Sequence, residues 1–419
     1  MSKPHKPDNF IPARLVRPAR AERPNPALIP TELPSGFDAF AIAAPGLAPL
    51  VAAECIALGI TPRDVSPAGV SFNATAEQLF TVNLWSRLAS RVLVRLAEFE
   101  ARDFATLEKM AARVPWHLVL SPGAAVRLRV TCRKSRLYHS DAVAERVARG
   151  ITNSIKGSQA LGRARDDEED DDGNTQLIVV RFDHDRCTIS ADSSGALLHR
   201  RGWRQAIAKA PLRETLAAAM LASCDWNGGA PLVDPFCGSG TIGIEAALRM
   251  RRMAPGLGRE FVMELWPGAD SPMHARVRTA AKAEQLPSVG VPIVMRDRDA
   301  GACKAAVANA ERAGVLQDLV IEQGPLSDTS LEAIGTTGLV LTNPPYGLRI
   351  SDGADLRSLY ARLGDVVRAG GRQWQLGLLV PDRVLAAQTR LTFDAVLRTA
   401  NGGLPVELLL SRLGSVSTL

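Results

Sequence analysis

Near the carboxyl end of one apolar run, Asn343-Pro344-Pro345-Tyr346 brings together groups suited to chemistry on a planar amine. An exocyclic amine on a nucleobase has its lone pair delocalised into the ring, so it is a poor nucleophile. The Asn343 side-chain carbonyl and the Pro344 main-chain carbonyl could accept both N–H bonds. That would draw the nitrogen toward pyramidal geometry and aim its lone pair at an electrophile. The prolines fix backbone direction and remove donors, leaving carbonyls to point outward. Tyr346 supplies a ring on which an extruded base can stack. Holding two reactants in line is itself a large share of catalysis, so neither a metal nor a strong base is required. The bland alternative is a plain Pro-Pro turn.

A second constellation is Val233-Asp-Pro-Phe-Cys-Gly-Ser-Gly-Thr-Ile-Gly-Ile-Glu245. An apolar strand ending at Asp234 is expected to turn through glycines into a helix. Gly238 and Gly240 would let the backbone approach a ligand that a side chain would exclude. Gly238, Gly240 and Gly243 also satisfy the weak dinucleotide pattern G-x-G-x-x-G, which makes a nicotinamide cofactor the first competitor. Against it, that pattern expects an acid about 20 residues onward, and the next strand-end acid, Asp297, lies much farther along. A carboxylate at Asp234, with Phe236 beside it, suits a cationic, amine-bearing ligand better than a diphosphate. S-adenosylmethionine is the ligand that fits. Asp297, in Val294-Met-Arg-Asp-Arg-Asp299, is placed to accept hydrogen bonds from both ribose hydroxyls, whereas Asp299 reads as a helix N-cap. The alternative for this pair is that both carboxylates merely cap.

These loops need a scaffold. From about Pro211, strand-like runs (231–234, 291–295, 319–321, 338–342, 376–380) alternate with helical ones (241–252, 356–368), which indicates a doubly wound, mainly parallel sheet. Upstream, Phe40-Ala-Ile-Ala and 91–99 read as strands. Gly46–Leu58 and a segment carrying Leu79, Phe80, Leu84 and Leu88 read as helices, together a small α+β unit. Ala125-Val-Arg-Leu-Arg-Val-Thr131 then alternates apolar and basic residues as a half-exposed strand does. Ser140 is expected to N-cap a helix bearing Val143, Val147 and Ile151. Arg127, Arg129, Arg133, Lys134 and Arg136 thus fall on or beside one exposed face and are candidates for phosphate contact.

The bulk numbers agree with an RNA-handling enzyme without proving one. The 419 residues exceed one ordinary domain, and 46% apolar with 22% charged residues is a globular balance. The net charge is +6 despite seven consecutive acids at 166–172, so the remainder is more basic still, which suits a polyanionic partner. Residues 1–34, alternating Pro with basic residues, read as a disordered basic arm. No apolar run approaches the roughly 18 residues of a membrane span. The six scattered cysteines form no C-x-x-C pair, which argues against zinc and against disulfides and fits the cytoplasm.

D-P-F-C-G-S-G-T followed by N-P-P-Y-G resembles the class I RNA methyltransferases that modify guanine at N2. The resemblance extends through Leu197–Arg204, Ala210–Ala217, Asn83–Val92, Gly69–Phe72, Leu359–Gly364 and Asn401-Gly, and is greatest to the bacterial large-subunit rRNA methyltransferase L group. It implies an α/β fold with a Rossmann-like class I methyltransferase domain preceded by α+β ferredoxin-like and THUMP modules. The implied division is a basic arm (1–34), a ferredoxin-like unit (35–100), a THUMP RNA-binding module (101–195) and a catalytic domain (196–419). By position, Asp234, Gly238 and Gly240 would contact the methionine part of S-adenosylmethionine and Asp297 its ribose. Asn343 to Tyr346 would hold the base, and Arg213 and Thr215 lie where such families close over the cofactor. One departure is Gln323-Gly-Pro-Leu326, where the family places an Asp to read adenine; Asp328 could substitute.

The expected function is methyl transfer from S-adenosylmethionine to guanine N2 of structured RNA, foremost large-subunit rRNA. A tRNA guanine, a DNA adenine N6 and a non-catalytic RNA-binding role are the alternatives, in that order.

Overall fold

A computed structural model describes residues 36–163, 175–205, 212–346 and 356–416. The basic arm, the acidic run and Gly347 lie outside the described residues.

The first half builds one eight-stranded sheet. Strand β1 (Phe37–Ile42), helix α1 (Ala48–Ala57), β2 (Pro62–Ser66), β3 (Gly69–Ala74), α2 (Ala76–Trp85) and β4 (Arg91–Glu100) follow in βαββαβ order. Helix α3 (Phe104–Ala111), β5 (Ala125–Arg133), α4 (Ser140–Ser154), β6 (Gln159–Arg163), β7 (Gln176–Asp183) and β8 (Arg186–Asp192) complete it. The strands lie in the order β2-β3-β1-β4-β8-β7-β5-β6. The β2-β3-β1-β4 half is the expected ferredoxin-like arrangement, and β4 pairs directly with β8, so the ladder runs unbroken into the following strands. Helix α4 covers β5 through Val143, Val147 and Ile151, all buried. It begins at Ser140 with His139 as N-cap, one residue before the cap expected. The helix carrying Leu79, Phe80 and Leu84 stops at Trp85, so Leu88 packs from the following turn.

The second half builds a seven-stranded sheet from β9 (Leu232–Asp234), β10 (Ile293–Asp297), β11 (Leu319–Gln323), β12 (Gly338–Thr342), β13 (Trp374–Val380), β14 (Leu391–Asn401) and β15 (Leu404–Val416). Helices α5 (Glu214–Ser223), α6 (Thr241–Met250), α7 (Ser271–Ala283), α8 (Ala300–Arg312), α9 (Leu331–Ile334), α10 (Leu356–Ala369) and α11 (Arg383–Ala387) accompany it. The order is β11-β10-β9-β12-β13-β15-β14. The pairs from β11 through β13 are parallel and only the final hairpin is antiparallel. Strand order runs one way from β9 through β10 to β11, and the other way from β12 to β13. The crevice at the carboxyl ends of β9 and β12 is therefore a topological switch point, where open α/β sheets bind ligands.

The halves share a core and a buried ionic network. Phe80 of α2 meets Phe261 edge-on at 5.5 Å and stacks on His274 of α7 at 4.4 Å. Glu245 of α6, fully buried, receives Arg87 at 3.4 Å from one half and Arg201 at 3.3 Å from the connecting segment. Arg87 also donates to the Met253 carbonyl at 2.5 Å, while Glu54 accepts from Ser86 Oγ at 2.6 Å. Burial raises the Glu54 carboxyl and lowers the Arg87 guanidinium. Removing one member would strand a buried charge, so the two halves are held at this seam.

Candidate active site

Register places the two chemical loops side by side. Leu339 and Val340 of β12 stand opposite Leu232 and Val233 of β9, so Thr342 and Asn343 emerge beside Asp234. The Thr342 hydroxyl donates to Asp234 Oδ1 at 2.6 Å, joining the loops by a buried bond. Phe236 N donates to the same oxygen at 3.2 Å. Burial outweighs both donors and pushes the Asp234 carboxyl up to about 7, with the Asp297 charge adding a little. A carboxylate held this dry is stabilised by an incoming cation.

The turn after Asp234 is a cradle. The Gly238 amide donates to Asp297 Oδ2 at 3.0 Å, which brings the ends of β9 and β10 together, and the Asp299 amide donates to Oδ1 at 3.0 Å. Gly238 has φ +52° and nothing within 4 Å of where a Cβ would stand, so its face is open to a ligand. Gly240 has φ +88°, and a Cβ there would press on Ala306 of α8 and Ile244, so helix packing also calls for glycine here. Gly243 is tighter still, lying against Met295 and Ile293 of β10. Asp299 caps α8, accepting from Gly301 N at 2.6 Å.

At the other loop, Asn343 Oδ1 is buried and has no hydrogen-bond partner among the described residues. Thr342 donates to Asp234, Tyr360 of α10 donates to the Pro345 carbonyl at 3.3 Å, and Asn401 donates to the Tyr346 hydroxyl at 3.0 Å. An orphan carbonyl costs on the order of 1–3 kcal/mol, so its persistence calls for a ligand that donates. Pro344 is buried and Pro345 half-buried. Tyr346 is 3% exposed, and its hydroxyl accepts from Asn401 at the hairpin tip.

Thr215 is buried in the first turn of α5, with Arg213 exposed at that helix's N-cap. Arg204 fastens this end to the glycine loop. It donates to Leu212 O at 2.7 Å and Thr241 Oγ1 at 2.8 Å, and pairs with Glu214 at 2.9 Å. Asn309 of α8 props the same loop by donating to Ser239 O at 3.1 Å. Sequence reading gave no site role to Arg204, Asn309, Thr342 or Asn401, although the resemblance ran through Arg204 and Asn401-Gly. Thr342 carried a signal of its own, as the one hydroxyl ending an otherwise apolar strand. Past β11, Arg296 donates to the Asp328 carbonyl at 2.5 Å, and the exposed Asp328 carboxylate accepts from Ser327.

The basic residues gather on β5. Arg127, Arg129 and Arg133 share one face, opposite buried Val126, Leu128 and Val130. Arg181 of β7 stands beside Thr131 on that face. Lys134 (φ +47°) and Arg136 continue into a turn pinned by Asp185, which accepts from Ser135 Oγ at 2.9 Å and Arg136 N at 2.7 Å. Among the described residues there is no cluster of metal-ligating side chains and no helix long and apolar enough to cross a membrane.

Residues 201–404 match the RMKL-like methyltransferase domain family, and residues 38–93 match the RlmL ferredoxin-like domain. The ribosomal RNA large subunit methyltransferase K/L of Syntrophotalea carbinolica is 37% identical over 388 residues, 88% of this chain and 53% of that protein. The chain thus spans about half the length of such relatives. It covers 95% of slr0064 of Synechocystis sp., provisionally named an RNA methyltransferase, at 32% identity over 88% of its own length. The crystal structure of SMU.472, provisionally described as a methyltransferase and complexed with SAH, superposes with a TM-score of 0.80 at 27% identity, covering 92% of this chain and all of that one.

Proposed function

The chain belongs to the RMKL-like methyltransferase family, and from that premise we propose that it methylates the exocyclic N2 of a guanine in large-subunit rRNA, using S-adenosylmethionine. The observation that carries this reading is Asn343 Oδ1, which is without a partner among the described residues and buried on a loop that Thr342 bonds to Asp234. The cradle fits the cofactor: Asp234 needs a cation, Gly238 is open, and Asp297 keeps lone pairs free after accepting from Gly238 and Asp299. Asp234 and Gly238 would hold the methionine part and Asp297 the ribose, with Phe236, Gly240, Arg213 and Thr215 shaping the cavity. Bound there, the cofactor supplies an electrophilic methyl on a sulfonium.

The chain's own work is orientation. Asn343 Oδ1 and the Pro344 carbonyl accept the two amine N–H bonds, releasing the lone pair from the purine ring toward the methyl. As the nitrogen gains positive charge both acceptors strengthen, which lowers the barrier more than it tightens binding. A surplus proton leaves from the amine to solvent. Arg127, Arg129, Arg133, Lys134 and Arg136 hold RNA phosphates on the β5 face, which we assign to a THUMP module within residues 101–195. The setting is cytoplasmic.

Nucleoside mass spectrometry of rRNA and tRNA from a deletion strain tests this. Loss of N2-methylguanosine from large-subunit rRNA is expected; loss from tRNA instead would reassign the substrate, and no loss anywhere would end the proposal. Asn343→Ala should keep SAH affinity by calorimetry while kcat falls about 100-fold or more.

A further inference from the structure

The turn that leaves β5 carries an aromatic ring in water. Tyr138 is 68% exposed, and among the described residues no other Phe, Trp or Tyr is exposed. A single apolar side chain at a surface is ordinary; the neighbours set this one apart. The His139 ring lies against it, with centroids 4.0 Å apart and planes 39° from parallel. Leu137, one residue before, is buried and ties the pair to the core, while Arg133, Lys134 and Arg136 stand exposed just upstream.

The turn is firmly held. His184 N donates to the Arg133 carbonyl at 3.2 Å, so the β7–β8 turn bonds to the end of β5. Ser135 Oγ and Arg136 N donate to Asp185 Oδ1 at 2.9 and 2.7 Å, and the Asp185 carbonyl accepts from Ala101 N at 2.9 Å. Lys134 sits at φ +47°, where glycine or asparagine would cost less, and the bend carries a cation instead. Beyond the ring pair, α4 has Asp141 in its first turn, a carboxylate that disfavours a phosphate at the helix start. Cations precede the ring and an acid follows it.

We propose that Tyr138, backed by His139, is a stacking site for one unpaired base of the bound RNA, at the end of the β5 row whose cations hold its phosphates. This deepens the RNA reading above and rests on it. Inside an A-form helix each base face is covered by the next base. A protein ring therefore meets an open face only where the strand is unpaired, in a loop, a bulge or an overhanging end. Stacking on an aromatic ring is tolerant of base identity, because every base has a π face. The first half of the chain then recognises a junction between paired and unpaired RNA without reading its sequence.

The test uses full-length protein and two fluorescein-labelled RNAs, a blunt duplex and the same duplex with a short single-stranded extension, followed by fluorescence anisotropy. Wild type should prefer the extended RNA. Tyr138→Ala should weaken that complex about fivefold to 100-fold, leave the blunt duplex within about twofold, and leave the slope of log K against log salt unchanged. Tyr138→Phe and Tyr138→Trp, which keep a ring, should bind as wild type does. The fluorescent base aminopurine, placed in the extension, should be quenched by wild type and not by Tyr138→Ala. Equal loss on both RNAs, or a smaller salt slope, would overturn the proposal in favour of a backbone contact. A loss in Tyr138→Phe matching that of Tyr138→Ala would overturn it in favour of a hydroxyl contact, and full affinity in Tyr138→Ala would overturn it outright. Wild-type protein that binds neither RNA would instead bring down the RNA reading itself. Methyl transfer enters none of these measurements, so a failure of the catalytic reading is seen separately.

Discussion

Replacing Asp234 with Asn isolates the electrostatic content of the proposed cofactor cradle. The amide keeps the shape and can still accept from Thr342 Oγ1 and Phe236 N, so only the charge is lost. In the folded protein this carboxyl is raised from 3.8 to about 7, chiefly by burial. That displacement corresponds to about 4 kcal/mol against the ionised form above pH 7. The unfolded chain gives up the proton near its ordinary value, whereas the native state keeps it to about 7. Between those limits the native state binds more protons, so stability declines as pH rises through the window and levels off beyond it. The Asn variant has no such slope. At pH 8 the cofactor-free variant should be more stable than wild type, by up to about 4 kcal/mol, while near pH 4 the two should converge. Calorimetry with SAH at pH 8 should show the opposite effect on binding, a loss of about tenfold or more once the carboxylate partner for the ligand's ammonium is gone. Thermal melts at several pH values provide the first readout. A variant less stable than wild type at pH 8, or a wild type whose stability is flat from pH 5 to 8, would refute the buried-charge argument; unchanged SAH affinity would remove Asp234 from the cofactor site.

Thr342→Val deletes the donor that moderates Asp234, so SAH affinity near pH 7 should fall about tenfold or more and its pH dependence should move upward, with Thr342→Ser restoring both. Arg133→Ala and Lys134→Ala, both exposed on the β5 face, should weaken RNA binding at every sequence. Each should reduce the slope of log K against log salt by about 0.7–0.9, measured by filter binding from low to physiological salt, while leaving SAH affinity alone.

Much of the site was readable because its residues follow strand ends, where apolar periodicity and loop chemistry coincide. Asp234, Gly238, Asp297 and Asn343 were singled out that way, and the parallel sheet brings these strand ends to one edge. What escaped depends on distance in three dimensions. Nothing local marks Asn401 as the partner of Tyr346 across 55 residues, or Asn309 as a prop for Ser239 across 70. At Gly240 helix crowding demands a missing Cβ as ligand approach does, and only coordinates show Ala306 against it. The burial of Tyr346 was not legible either, because an aromatic ring after Pro-Pro is equally suited to a base and to a core. The final hairpin went unseen because β14 and β15 mix polar and apolar residues, with bulges that break the period of two.

The unbroken ladder from β4 into β8 has a mechanical consequence. A load applied at β5 passes through main-chain hydrogen bonds of β7, β8 and β4 to β1, and so to the chain leading into Gly46. On the function proposed above, the β5 face and the N-P-P-Y loop would therefore act more as a caliper than as two beads on a string, and the span between them would limit how far a target guanine could stand from the structured RNA that presents it.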